Sequence, residues 1–133
     1  MPEPANQTAA RILVVDDYED SRNMYAEMLS FAGYHVETAK DGAEALERAE
    51  NGQFDLIVLD IALPKIDGLT VIRTLRSRPE TMATPIVTLS ASVGQNAHQA
   101  VRTAGADLAL DKPCLPDDLE AAIRELLQLK RKT

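Results

Sequence analysis

Three aspartates, a serine and a lysine stand directly after apolar runs in this chain. Asp16 and Asp17 follow "RILVV", Asp60 follows "LIVL", Ser90 closes "PIVTLS" before Ala91, and Lys112-Pro113 follow "DLALD". Taken singly, each has an ordinary role. Asp16 and Asp17 would cap a helix, Ser90 would shape a turn, and Lys112 would be a solvated charge. Taken together, they could do particular chemistry. Three clustered carboxylates repel, and one of them has its pKa raised unless a cation joins the group. Oxygen ligands without His or Cys suit Mg2+ or Mn2+. A divalent ion, an ammonium and a hydroxyl together stabilise the oxygens of a phosphoryl group in flight. A carboxylate in their midst can accept that group as an acyl phosphate. Asp60 is the candidate acceptor.

Hydrophobic periodicity supplies the elements that must position these groups. Residues 11–15, 34–39, 55–59, 85–89 and 107–111 read as strands. Three of them are nearly continuous in apolar residues, as in a parallel sheet covered on both faces. Amphipathic stretches at 19–32, 42–51, 67–77, 94–104 and 116–130 read as helices. Asp41 suits a helix start, Asp67-Gly68 a turn or helix start, and Gly33, Gly52 and Gly105 helix ends. A βα unit repeated five times predicts a right-handed α/β sheet with helices on both faces. In such sheets the site lies at the carboxyl ends of the strands. If strands one, three, four and five are neighbours, all five groups meet at one edge.

At 133 residues and 45% apolar content, the chain has the size and composition of one globular domain. A net charge of −7 and a pI of 4.8 argue against direct contact with nucleic acid or an anionic membrane. The start "MPEPANQTAA" lacks the basic and apolar regions of a signal peptide. No apolar run approaches the ~20 residues that span a bilayer. The lone Cys114 excludes an internal disulfide. The expectation is a cytoplasmic domain over 11–130, with a flexible tail at 1–10 and a basic tail at 131–133.

The segments "VVDD" (14–17), "VLDIALPKIDG" (58–68), "PIVTLSA" (85–91) and "DKP" (111–113), in that order and spacing, resemble the receiver domain of two-component response regulators. The resemblance covers about residues 10–130. It implies a flavodoxin-like (βα)5 fold with a five-stranded parallel sheet in the order 2-1-3-4-5. It implies a phosphorylation-dependent signalling switch that takes a phosphoryl group from a histidine kinase or phosphotransfer protein onto Asp60. Such a domain is no enzyme, catalysing only its own phosphorylation and slow dephosphorylation. Asp16, Asp17 and Asp60 would hold Mg2+ (or Mn2+) with the backbone carbonyl of Ala62. Ser90 and Lys112 would bind the phosphoryl group, and the N–H groups of Ala62 and Ala91 would complete the cradle. The Lys112–Pro113 bond would be cis, which an X–Pro bond accepts at a cost of about 1 kcal/mol or less. The partners implied are a phosphodonor and an unknown downstream protein, with the domain a monomer or weak dimer.

Three positions depart from the family's pattern. Ala109 stands where an aromatic usually swings inward on activation, so output would run through Ser90 and the loop after strand four, or the domain would mainly carry phosphate. Leu63 stands where Met is frequent, a conservative change. Ala62 and Ser92 border the path of the hydrolytic water and offer it little, which predicts slow self-dephosphorylation. His35 and His98 read as structural, and Cys114 as packing. Tyr18, Glu19 and Asp20 open the first helix near the site, where Tyr18 could shape access for the phosphodonor. The basic end "KRKT" complements the last helix's dipole or begins a linker. Two rivals remain: an interaction module that is never phosphorylated, favoured by Ala109, and a phosphohydrolase of the haloacid-dehalogenase type. The latter needs a second aspartate where Ala62 stands.

Overall fold

The structure is a computed structural model and describes residues 9–63, 66–91 and 95–132. Ser92, the loop after the fourth strand, and most of the expected amino-terminal tail lie outside these residues. Strands β1 (Arg11–Val15), β2 (His35–Ala39), β3 (Leu56–Asp60), β4 (Ile86–Ser90) and β5 (Leu108–Asp111) alternate with five helices. The helices are α1 (Glu19–Phe31), α2 (Gly42–Asn51), α3 (Gly68–Ser77), α4 (Gln95–Ala104) and α5 (Pro116–Lys132). All ten lie within two residues of the ranges expected from periodicity. α5 continues two residues past the expected end of the domain. The strands are all parallel, in the order β2-β1-β3-β4-β5. This is the expected flavodoxin-like topology.

Alternation along the strands divides the core in two. Leu13, Val15, Ile57, Leu59 and Ile86 pack with α2, α3 and α4 through residues such as Ala45, Ile72 and Val101. Ile12, Val14, Val58, Val87 and Leu89 pack with α1 and α5 through Tyr25, Leu29, Leu119 and Ile123. The central strands are therefore wetted on neither face, which explains their nearly continuous apolar runs. β3 is buried throughout its length, Asp60 included.

Local chemistry places the helix ends. The side chains of Asp41 and Asp67 accept the N–H groups of Glu44 and Thr70 and so cap α2 and α3. Gly33 ends α1 with φ of 108°, a conformation that costs a glycine little. Gly68 is required for close approach: a Cβ there would stand 2.7 Å from the Cα of Ile61. Its N–H donates to the carbonyl of Ile61, so α3 starts hard against the segment that leaves Asp60.

Arg76 fastens the end opposite the site. Its guanidinium donates to the carbonyls of Gly105, Met82 and Thr84 and pairs with Asp107 at 2.9 Å. The same Asp107 oxygen accepts the N–H of Ile86, where β4 begins. Truncation would strand several carbonyls at once. Arg76→Ala is expected to cost about 3 kcal/mol, read as a lowered urea midpoint with an unchanged slope.

Candidate functional site

Four of the five strands, β1, β3, β4 and β5, deliver polar residues to the carboxyl edge. Asp16 follows β1 and donates its N–H to the carbonyl of Ala39. Asp60 ends β3 opposite Leu89, and Ser90 ends β4 opposite Asp111. The N–H of Lys112 donates to the Ser90 carbonyl at 2.8 Å. Asp16, Asp17 and Asp60 bring one carboxylate oxygen each within 4.8 Å of the others. Lys112 Nζ lies 2.9 Å from Asp60 Oδ2 and 3.7 Å from Asp16 Oδ2. The other Asp60 oxygen, Oδ1, accepts the N–H of Ala62 at 3.0 Å. Ser90 is half-buried and Ala91 exposed, both at the same edge. The Lys112–Pro113 peptide bond is cis.

Neither of the first two aspartates caps α1. The N-cap is Tyr18, without a side-chain cap, while Asp16 Oδ1 accepts the Tyr18 N–H at 2.9 Å. Asp16 thus turns the chain into the helix. Its other oxygen, Oδ2, is buried without a hydrogen bond among the described residues. Asp17 is exposed at the mouth. The structure therefore replaces the helix-cap role by an acidic cluster with one oxygen left over.

Burial holds the Asp16 carboxyl above its usual pKa, against the opposing pull of the Tyr18 N–H and Lys112. Burial pushes the Lys112 ammonium down, but its hydrogen bond to Asp60 and the charges of Asp60 and Asp16 outweigh that and leave it raised. The ammonium is accordingly charged at neutral pH. Three carboxylates against this ammonium leave two negative charges, the charge a divalent cation neutralises. The orphaned Asp16 oxygen and the all-oxygen donor set fit such an ion.

The sign of the Asp16 shift gives an expected result. A carboxyl whose pKa is raised by folding favours the fold when protonated, and that contribution is lost as pH rises through the raised value. At neutral pH the ionised side chain therefore costs stability. Asp16→Asn retains an acceptor for the Tyr18 N–H and is expected to stabilise the metal-free protein, seen as a raised urea midpoint. Urea titration at neutral pH checks this, and the gain shrinks as pH is lowered.

Several contacts here escaped the sequence. The Tyr25 hydroxyl donates to the carbonyl of Cys114 at 2.8 Å, and Arg22 donates to that of Asp16 at 3.0 Å. His98 Nε2 on α4 lies 2.7 Å from Asp111 Oδ1 at the end of β5. Ala109 is 8% exposed and pairs with Thr88, whose buried hydroxyl has no hydrogen-bond partner among the described residues. Of these, Tyr25 alone carried a signal: a tyrosine on an apolar helical stripe must find its hydroxyl a partner.

A sequence profile of the response regulator receiver domain matches residues 12–124. This chain belongs to that family. Over 118 residues the receiver domain is 44% identical to response regulator MprA of Mycobacterium sp. (strain KMS), covering 89% of this chain and 50% of that protein. It spans about half the length of the curated relatives it matches. Among solved structures it is similar to chemotaxis response regulator CheY4 of Vibrio cholerae. The TM-score is 0.84 at 34% identity, over 88% of this chain and 98% of that one. It is also similar to the receiver domain of sensor histidine kinase PA1611 from Pseudomonas aeruginosa PAO1, which has a magnesium ion coordinated in its active-site cleft. There the TM-score is 0.84 at 28% identity, over 90% and 98% of the two chains. Phosphorylation-dependent two-component switching is the standard function of the family, and its members are signalling switches. No helix among the described residues is long and apolar enough to cross a membrane.

Proposed function

We propose that Asp60 is the phosphoacceptor of this receiver domain, with Asp16, Asp17 and the backbone carbonyl of Ala62 holding Mg2+ beside it. The observation that carries this reading is the placement of Asp60 itself. It is 5% exposed, one oxygen faces the Lys112 ammonium at 2.9 Å, and the other faces the Ala62 N–H at 3.0 Å. Groups that hold a carboxylate in this way also stand ready for the oxygens of a phosphoryl group built upon it. The magnesium ion in the PA1611 receiver domain supports the same metal here.

An oxygen of Asp60 attacks the phosphorus of a phosphohistidine, borne by a histidine kinase or phosphotransfer protein. The O–P bond forms as the P–N bond breaks, and the imidazole leaves with the electron pair. Lys112, the Ser90 hydroxyl and the N–H groups of Ala62 and Ala91 receive the phosphoryl oxygens. When bound, the divalent ion neutralises charge on those oxygens. The catalysis is confined to this domain's own phosphorylation and the later hydrolysis. The domain runs from residue 11 to the end of α5 at Lys132, in a cytoplasmic setting, and its output passes to a downstream protein through Ser90 and the loop after β4. With Ala109 in place of an aromatic, equal affinity of both phosphorylation states for that protein would overturn this relay and leave a phosphate carrier.

The methyl of Ala62 offers no group to orient a hydrolytic water. The aspartyl phosphate is therefore expected to persist for minutes or longer once the donor is removed, as followed by 31P resonance; decay within seconds would contradict it. The proposal as a whole is tested by intact mass after incubation with Mg2+ and acetyl phosphate. One added phosphoryl group, absent when a chelator is present, is the expected result. No adduct would favour the unphosphorylated interaction module.

A further inference from the structure

We propose that Tyr25 is a positioning residue for phosphoryl transfer, holding Lys112 against Asp60 through the backbone of Cys114. The inference rests on the reading of Asp60 as acceptor.

Tyr25 lies on the buried stripe of α1, four residues before Leu29, and is 4% exposed. Its ring packs among the apolar residues of β1, β3 and α5. An aliphatic side chain would satisfy that packing, so the hydroxyl is an additional, costly group unless it is bonded. It is bonded, donating at 2.8 Å to the carbonyl of Cys114, 89 residues away. Burial pushes the hydroxyl's pKa up, so it stays protonated and remains a donor.

The two ends of this hydrogen bond belong to the two halves of the site. α1 begins three residues after Asp16, and its first turn is tied back to the Asp16 carbonyl by Arg22. Cys114 lies two residues after Lys112, on the segment that leads into α5. The Lys112 backbone is held on its other side by the Ser90 carbonyl. Tyr25 therefore sets the distance between the α1 segment that follows Asp16 and Asp17 and the segment bearing the ammonium, which reaches across to Asp60 at the end of β3. The reach of Lys112 Nζ to Asp60 at 2.9 Å and Asp16 at 3.7 Å depends on that distance. Displacements of about 1 Å at a reacting site can cost up to ~100-fold in rate.

Tyr25→Phe keeps the ring and removes only the hydrogen bond. The test measures acetyl phosphate-dependent formation of the aspartyl phosphate, in which Asp60 gains the phosphoryl group and acetate leaves. Four proteins are compared: the parent, Tyr25→Phe, Lys112→Ala and the double variant, each at saturating Mg2+ and normalised to its folded fraction by circular dichroism. With Lys112 present, Tyr25→Phe is expected to lower the maximal rate about tenfold. Its Mg2+ dissociation constant and half-saturating donor concentration should stay within about twofold. In the Lys112→Ala background the same change should cost less than about twofold, because the group it positions is gone. Equal losses in both backgrounds would show a merely structural role, and an unchanged rate in Tyr25→Phe would show none; either overturns the inference while the acceptor reading stands. A parent protein that gains no phosphoryl group overturns both.

Discussion

Asp60→Asn is expected to accept no phosphoryl group, a fall of at least about 10⁴-fold in the rate of adduct formation. An amide oxygen is a poor nucleophile toward phosphorus, and the geometry penalises it further. Asp60 presents one oxygen to the Lys112 ammonium and the other to the Ala62 N–H, so both partners are donors. An amide supplies one acceptor only, and its NH2 would face a donor on whichever side it lies. The cluster would also fall from three carboxylates to two, so Mg2+ affinity should drop by roughly tenfold or more. Intact mass reads the first effect, and calorimetric Mg2+ titration the second. Phosphorylation of Asp60→Asn at the parent rate would place the acceptor elsewhere.

Lys112→Ala should separate the roles of the site. Its ammonium lies in direct contact with Asp60, and removing such a preorganised group typically costs about 10²–10³-fold in rate. The nucleophile remains, so the adduct still forms, slowly, on Asp60. Mg2+ should bind more tightly, because the ammonium no longer neutralises the carboxylates it would share with the ion. The metal-free variant should lose about 2 kcal/mol of stability, since a buried carboxylate loses its partner. Mg2+ should restore much of that loss. A variant with slower transfer and weaker Mg2+ binding together would instead point to a general loosening of the edge.

Much of the site was legible in the amino-acid sequence. The apolar runs ending at Val15, Leu59 and Leu89 read as central strands, and parallel strands bring the residues at their carboxyl ends to one edge. Asp16, Asp17, Asp60, Ser90 and Lys112 follow the ends of strands in the sequence, and the structure brings three carboxylates and the ammonium together there. Contact between distant side chains is not carried by sequence periodicity. Tyr25 reads as one more residue on an apolar stripe, because nothing in the pattern says that residue 114 offers it a carbonyl. His98 gave no sign of its pairing with Asp111 across the α4–β5 boundary. The division of labour within Asp16, one oxygen turning the chain and the other left buried and unbonded, was equally invisible. A cap and a ligand use the same residue type at a helix start, and only geometry tells them apart.

The most direct measurement is the location of the phosphoryl group. The protein is loaded with Mg2+ and acetyl phosphate, reduced with borohydride to convert any aspartyl phosphate to homoserine, digested, and sequenced by tandem mass spectrometry. Homoserine is expected at residue 60 alone, and none when a chelator is present. Homoserine at Asp16 or Asp17, or an adduct on any other residue with position 60 unmodified, would contradict it.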